Sequence, residues 1–367
     1  MKDKKLVPTL ADKGSSFARE IGMIVVNIFI SMVLGSILIL AQGEKPLEVY
    51  YYLLIDPLTS MSGILKVLGK ATPLIFCGLA ATVAFRCSLF NVGIEGQIYL
   101  GGLAAAAVAL YVPISTPILK VLCCLAAAMA VAGAWAALAG WLKIRFHVHE
   151  VLSTIMLNYV ASAMVSFLLL NFMKEDGINP RTNPFPENAL LPQLAPPDQV
   201  NVGLFLSLLA AVVLIFLIYR TSLGWRIDAV GKNMTAARFA GISAKKVLMA
   251  AICISGMLGG LAGAERVMGA YGYMELNFSP GYGYDGMIVA VIARNNPVGA
   301  VIVGLFMGLL HYGGVNINMY TDISIEWVYV LIAVMFILVV ADSRIINSVR
   351  RGVGRLFRIG KRGEGVK

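Results

Sequence analysis

FNVGIEGQIYLGG, residues 90–102, sits between runs of Leu, Ala, Ile and Val, yet it holds one glutamate, one asparagine, one glutamine and four glycines. A carboxylate deep in a bilayer costs roughly 2.5–3.5 kcal/mol on insertion scales, so it persists only against a bundle interior, a wet cavity or a partner. The glycines at 93, 96, 101 and 102 let backbones approach closely and permit a broken helix. Two readings of Glu95 follow. It pins helix packing by hydrogen bonds, or it lines a polar path through the bundle.

The surroundings fix the class. Apolar residues make up 59% of the 367, well above the roughly 45–50% of a soluble domain. Apolar runs near the ~20 residues that span a bilayer recur along the chain. The pattern predicts an all-α polytopic membrane protein with about ten spans, at 21–41, 63–85, 90–112, 118–142, 151–172, 202–219, 247–270, 285–293, 298–313 and 325–341. The second span is expected to be interrupted at Pro73, and the eighth is short. Barrel strands are short and alternating, which these runs are not.

The net charge of +10 does not point to nucleic acid. The basic residues gather in 1–20, in 220–246 and in 343–367, the distribution of segments held on the cytoplasmic side. Ten spans return both termini to that side. The domain reading is therefore a basic leader (1–20), one transmembrane domain (21–342) and a basic tail (343–367). The segment 174–201 falls outside; its six prolines preclude a long helix and favour an extended, ordered cap.

A repeat is written into the spans. Gly93-Ile94-Glu95-Gly96-Gln97-Ile98 and Gly283-Tyr284-Asp285-Gly286-Met287-Ile288 share the form G-x-[acid]-G-x-I. The first copy is entered from the cytoplasmic side and the second from the outer side. Two halves of inverted topology, spans 2–5 and 7–10, produce this, and such halves place binding sites near the midplane on broken helices.

Other polar residues in the spans keep two readings each. Asn158 and Tyr159 bond between helices or face the path. Asp285 caps a helix N-terminus or faces the path. Tyr271, Tyr273, Tyr282 and Tyr284 form an outer aromatic belt or stack on a planar ligand. His147 and His149 are two apart, do not share a helical face and lack companion ligands, so no metal site is expected. The five cysteines read as small packing residues. No G-x-S-x-G, H-E-x-x-H or G-x-x-x-x-G-K-[ST] occurs. If ATP drives this protein, another chain binds it, and no cofactor is expected here.

The polar stretch GWRIDAVGKNMTAARFAGISAKKV, 224–247, suits a docking element. Asn233 can cap a short helix starting near Met234, and Gly241 can end it. This stretch resembles the coupling loop of permease subunits of bacterial ABC importers, in the family of ribose, branched-chain amino acid and nucleoside permeases. The matching positions are Gly231, Asn233, Ala236, Ala237, Arg238, Ala240, Gly241 and Ile242. FNVGIEGQ resembles the nucleoside branch more than the sugar or amino-acid branches, and GYGYDGMIVAVIARNNPVGA (281–300) is similar to a later family segment.

The resemblance implies a permease in a cell membrane that pairs with a second permease subunit, often a different chain. It docks on a cytoplasmic ATPase through the loop and receives cargo from an extracellular binding protein. The cargo is expected to be a nucleoside, with a sugar or other small polar solute as the alternative. The expected substrate path comprises Asn91, Glu95, Gln97, Asn158, Tyr284 and Asp285. The rival from another class is an ion-coupled transporter using Glu95 or Asp285, which has no need of the loop.

Overall fold

The computed structural model describes residues 42–196 and 198–321, with 32–33, 35–37, 39–40, 326–327, 329–330, 333–334 and 337. The leader and tail lie outside the described residues, and the spans expected at 21–41 and 325–341 do so for the most part. The chain divides into two compact units, Tyr50–Tyr320 and Met1–Val49 with Thr321–Lys367. In the second, the described positions between 32 and 40 are helical, and Lys45 pairs with Glu48 at 3.0 Å. The first unit holds the helical bundle.

Its long helices are α1 (Met61–Arg86), α2 (Ile94–Tyr111), α3 (Pro117–Phe146), α4 (Glu150–Leu168), α5 (Gly203–Arg220), α8 (Ala244–Glu265) and α10 (Pro297–Tyr320). Among the described residues, seven helices are long and apolar enough to cross a membrane, with α4 and α8 prolonged by π-helical turns to Met173 and Tyr271. Between α5 and α8 stand two shorter helices, α6 (Ser222–Lys232) and α7 (Met234–Phe239); between α8 and α10 stands α9 (Tyr282–Ile292). The spans read from sequence at 63–85 through 298–313 thus each find a helix.

The expected interruption at Pro73 is corrected. α1 runs unbroken through it, with Pro73 buried inside the helix. A proline removes one backbone bond, but neighbouring groups restore the balance in packed membrane helices. The carbonyl that loses its donor is that of Gly69, and the Thr72 hydroxyl bonds the adjacent Leu68 O (2.9 Å).

α1, α2 and α8 form the centre. α2 is apolar around its circumference and buried along most of its length, as a central helix must be. It meets α8 through glycines: a Cβ on Gly101 would strike the Gly260 backbone, and one on Gly263 would strike Ile98 O. Small residues let two helix backbones touch, and in lipid that dispersion contact is a main source of helix association.

The packing pattern carries the repeat. Exchanging α1 with α8, α2 with α9 and α3 with α10 turns the α1–α9 contact into α8–α2, α1–α10 into α8–α3, and α2–α3 into α9–α10; all six pairs pack, five of them extensively and the short α9 against α10 less so. Four crossing helices, α2 to α5, stand between α1 and α8, so the two run in opposite directions. This is the inverted repeat expected from the two motif copies.

The segment 174–201 has no long helix. It is ordered by a 3₁₀ turn at Glu187–Ala189 and by antiparallel bridges Lys174–Thr182, Arg181–Glu275 and Gln193–Asn201. Arg181 is tied to Glu175 at 2.7 Å and lies over the Tyr273 ring at 4.9 Å.

Candidate functional site

The two motif copies meet. α9 begins at Tyr282, and its early amide, on Gly283, donates to Glu95 Oε2 at 2.7 Å. The first amides of a helix have no partner within it and carry partial positive charge. A buried carboxylate from the other half of the molecule therefore caps α9. The approach is close enough that a Cβ on Gly283 would strike the Glu95 backbone.

The start of α2 is satisfied in the same way by a third element. The Gly96 amide donates to Asn158 Oδ1 at 2.9 Å, while Asn158 Nδ2 donates to Val92 O at 2.9 Å and to the Tyr284 hydroxyl at 3.3 Å. Beside it, the Gly93 amide donates to Asn91 Oδ1 (3.0 Å) and Asn91 Nδ2 donates to Ser255 Oγ on α8 (2.9 Å). The Asn91 and Gln97 side-chain amides exchange two 3.3 Å bonds. Asn91, Glu95, Gln97, Asn158 and Asp285 are all buried, and Tyr284 is 40% exposed.

Five of the six expected path residues are thus joined around the N-termini of α2 and α9. Asp285 stands apart from that ring. It is not a helix cap: Gly281 holds the capping position with φ 100° and no side-chain bond, and Asp285 Oδ2 instead lies 3.0 Å from His311 Nε2 on α10. Nor do the four tyrosines form a belt. Tyr282 is buried, Tyr284 bonds Asn158, Tyr273 covers Arg181, and Tyr271 covers Arg266.

At the opposite end from 174–201, α7 forms as its residues dictate. Asn233 Oδ1 accepts from the Ala236 amide at 2.9 Å, and Gly241 ends the helix at φ 81° with Ile242 N–H bonded to Ala237 O. Ala236, Arg238, Ala240 and Gly241 face outward, Ala237 is buried, and Phe239 is 90% exposed. Cavities flank the helix on both sides, about 430 Å³ against Trp225, Arg226 and Lys246 and about 250 Å³ against Lys143, Glu150 and Lys245.

α6 was not foreseen as a helix, and it fastens this end to the bundle. Arg86 at the end of α1 makes a bidentate pair with Asp228 (2.8 and 2.7 Å) and donates to Asn295 O (3.1 Å). Gly231, a member of the loop pattern, packs its Cα against Arg86 O, where a Cβ would collide. Its place is explained by internal packing.

A family model described as branched-chain amino acid transport system / permease component matches residues 63–340. The chain belongs to that permease family. The guanosine ABC transporter permease protein NupP of Bacillus subtilis is 33% identical over 91% of this permease and 96% of its own length. The glucose ABC transporter permease protein TsgB13 of Haloferax volcanii is 31% identical over 88% and 87%. The nucleoside ABC transporter permease protein NupB of Lactococcus lactis is 30% identical over 80% and 84%. The molecule is therefore a membrane-embedded permease of the ABC importer class, a transport component, and the ion-coupled rival is set aside.

The permease carries polar residues in its spans that the sequence reading passed over: Ser255, Glu265 and Arg266 on the α8 segment and His311 on α10. Two adjacent charges inside the apolar run 247–270 were the available signal, since charges at that depth seldom lack a role.

Proposed function

We propose that this permease carries nucleosides inward across a cell membrane, with Asn91, Glu95, Gln97, Asn158, Tyr284 and Asp285 along the path. The observation that carries the reading is the buried ring of carboxylate, amides and a phenol at the facing ends of α2 and α9. It lies where the two halves meet, as sites in repeat-built transporters do. The carboxylate, amides and phenol of the ring are acceptors and donors suited to ribose hydroxyls and base edges. The nucleoside-carrying names of NupP and NupB support the same cargo.

In this reading the transmembrane domain is 21–342, both termini are cytoplasmic, and 174–201 is an outer cap that meets an extracellular binding protein. α7 and its surroundings, Gly231 to Ile242, dock on a separate ATPase that hydrolyses the ATP. A second permease chain completes the path. The glucose-carrying relative favours a sugar as the second reading.

The test is uptake of labelled nucleosides and glucose by cells with and without this chain, with ATP depleted or ion gradients collapsed separately. Chain-dependent nucleoside uptake that stops without ATP and survives loss of the gradients is the expected result. Uptake of glucose alone withdraws the nucleoside reading.

A further inference from the structure

Arg266 opens the π-helical turn that prolongs α8. It is 1% exposed, and none of its three guanidinium nitrogens has a hydrogen-bond partner among the described residues. The neighbouring Glu265 lies within electrostatic reach but makes no hydrogen bond to it. Its Oε1 accepts from Asn201 Nδ2 at 2.8 Å, while its Oε2 has no partner. Lys70 on α1 adds a second positive charge within electrostatic reach.

What holds the guanidinium is aromatic. Its central carbon lies 4.6 Å from the Tyr271 ring centroid and 5.3 Å from that of Tyr282. Ring faces steady a cation, and Tyr271 and Glu265 add electrostatic compensation, but donors without a well-formed acceptor at this depth are costly. Tyr282 is next to Gly283, whose amide binds Glu95. Arg266 thus adjoins the polar ring already described. The two tyrosines flank the segment 272–281, which starts and ends on glycines at φ 75° and 100° and is held between them by bonds of Met274 with Thr182 and of the Tyr99 hydroxyl to Ser279 O.

We infer that Arg266 reads the base of the cargo, its paired N–H groups taking the O6/N7 edge of a 6-oxopurine nucleoside as the pathway opens. The guanidinium fork matches two adjacent acceptors, and among the common bases guanine presents such a pair at N7 and O6, whereas adenine sets a donor beside N7. Hypoxanthine shares the guanine edge, and neither pyrimidine offers it. The two tyrosines supply faces on which a purine stacks. The inference deepens the nucleoside reading and rests on it.

The experiment measures uptake of guanosine, 7-deazaguanosine (no N7), adenosine and uridine by cells holding the complete transporter with the wild-type or Arg266→Lys chain. Any preference imposed by a delivering protein is common to both chains and cancels in the comparison. Lysine keeps the charge and loses the fork. The expected result is a guanosine to 7-deazaguanosine preference that shrinks by roughly 5- to 150-fold in the variant, with guanosine uptake falling far more than uridine uptake. Unchanged preference, or equal loss for every nucleoside at normal abundance, overturns the inference and leaves the nucleoside reading standing. No nucleoside uptake by the wild type overturns both. Should the variant fail to accumulate, photolabelling of the wild-type transporter with 8-azidoguanosine decides. Label on Tyr271 or Tyr282 supports the assignment, and label confined elsewhere removes it.

Discussion

Glu95 and Gly283 show how one buried residue serves two helices. Glu95 belongs to α2 yet satisfies an amide of α9, 188 positions along the chain. Glu95→Ala leaves that amide without an acceptor and lowers stability by about 1–3 kcal/mol. Glu95→Gln keeps an accepting oxygen and costs less. Thermal melting of the purified protein separates the two, and equal melting of all three proteins rejects the capping role. Gly283→Ala forces a methyl group onto the Glu95 backbone and is expected to cost about 1–3 kcal/mol by overpacking, read by the same melting curves. Removing Asn158 is the comparable experiment for α2.

At the scale of the element, α7 is a helix of six residues, too short to persist on its own. Its cap, its glycine stop and the burial of Ala237 hold it. Asn233→Ala removes the cap at about 1 kcal/mol, and hydrogen exchange at the Ala236 amide should accelerate by roughly fivefold; unaltered exchange would show that the cap does not matter. Ala237 is a poor place to probe docking, because a bulky group there disrupts the helix itself. Phe239, at the exposed end, is the better probe. Phe239→Ala should leave the melting temperature in place and lower ATP-driven uptake several-fold, and uptake at the wild-type rate would move the ATPase contact elsewhere.

For the molecule as a whole, the repeat sets which surfaces face opposite sides. Ile178, 98% exposed in the cap segment, and Phe239, 90% exposed on α7, are separated by an odd number of crossings. In the proposed topology, Ile178→Cys reacts with an impermeant thiol reagent in whole cells, and Phe239→Cys reacts only after the membrane is opened. Labelling of both from the same side contradicts the inverted arrangement.

The membrane class, the helices from 63 to 313, the α7 cap and stop, and the repeated G-x-[acid]-G-x-I motif were legible in the residues because they rest on short-range causes. Hydropathy decides insertion over about 20 residues, and a cap acts within one helical turn. The continuous passage of α1 through Pro73, the partner of Asp285, the fastening of α6 by Arg86 and Asp228, and the scattering of the four tyrosines were decided only by tertiary structure. Each depends on which groups arrive opposite it from distant parts of the chain. Glu95 joins the two levels. Its sequence announced that a buried carboxylate needed a partner, and the meeting of two oppositely directed halves supplied that partner as the bare N-terminus of the other motif's helix.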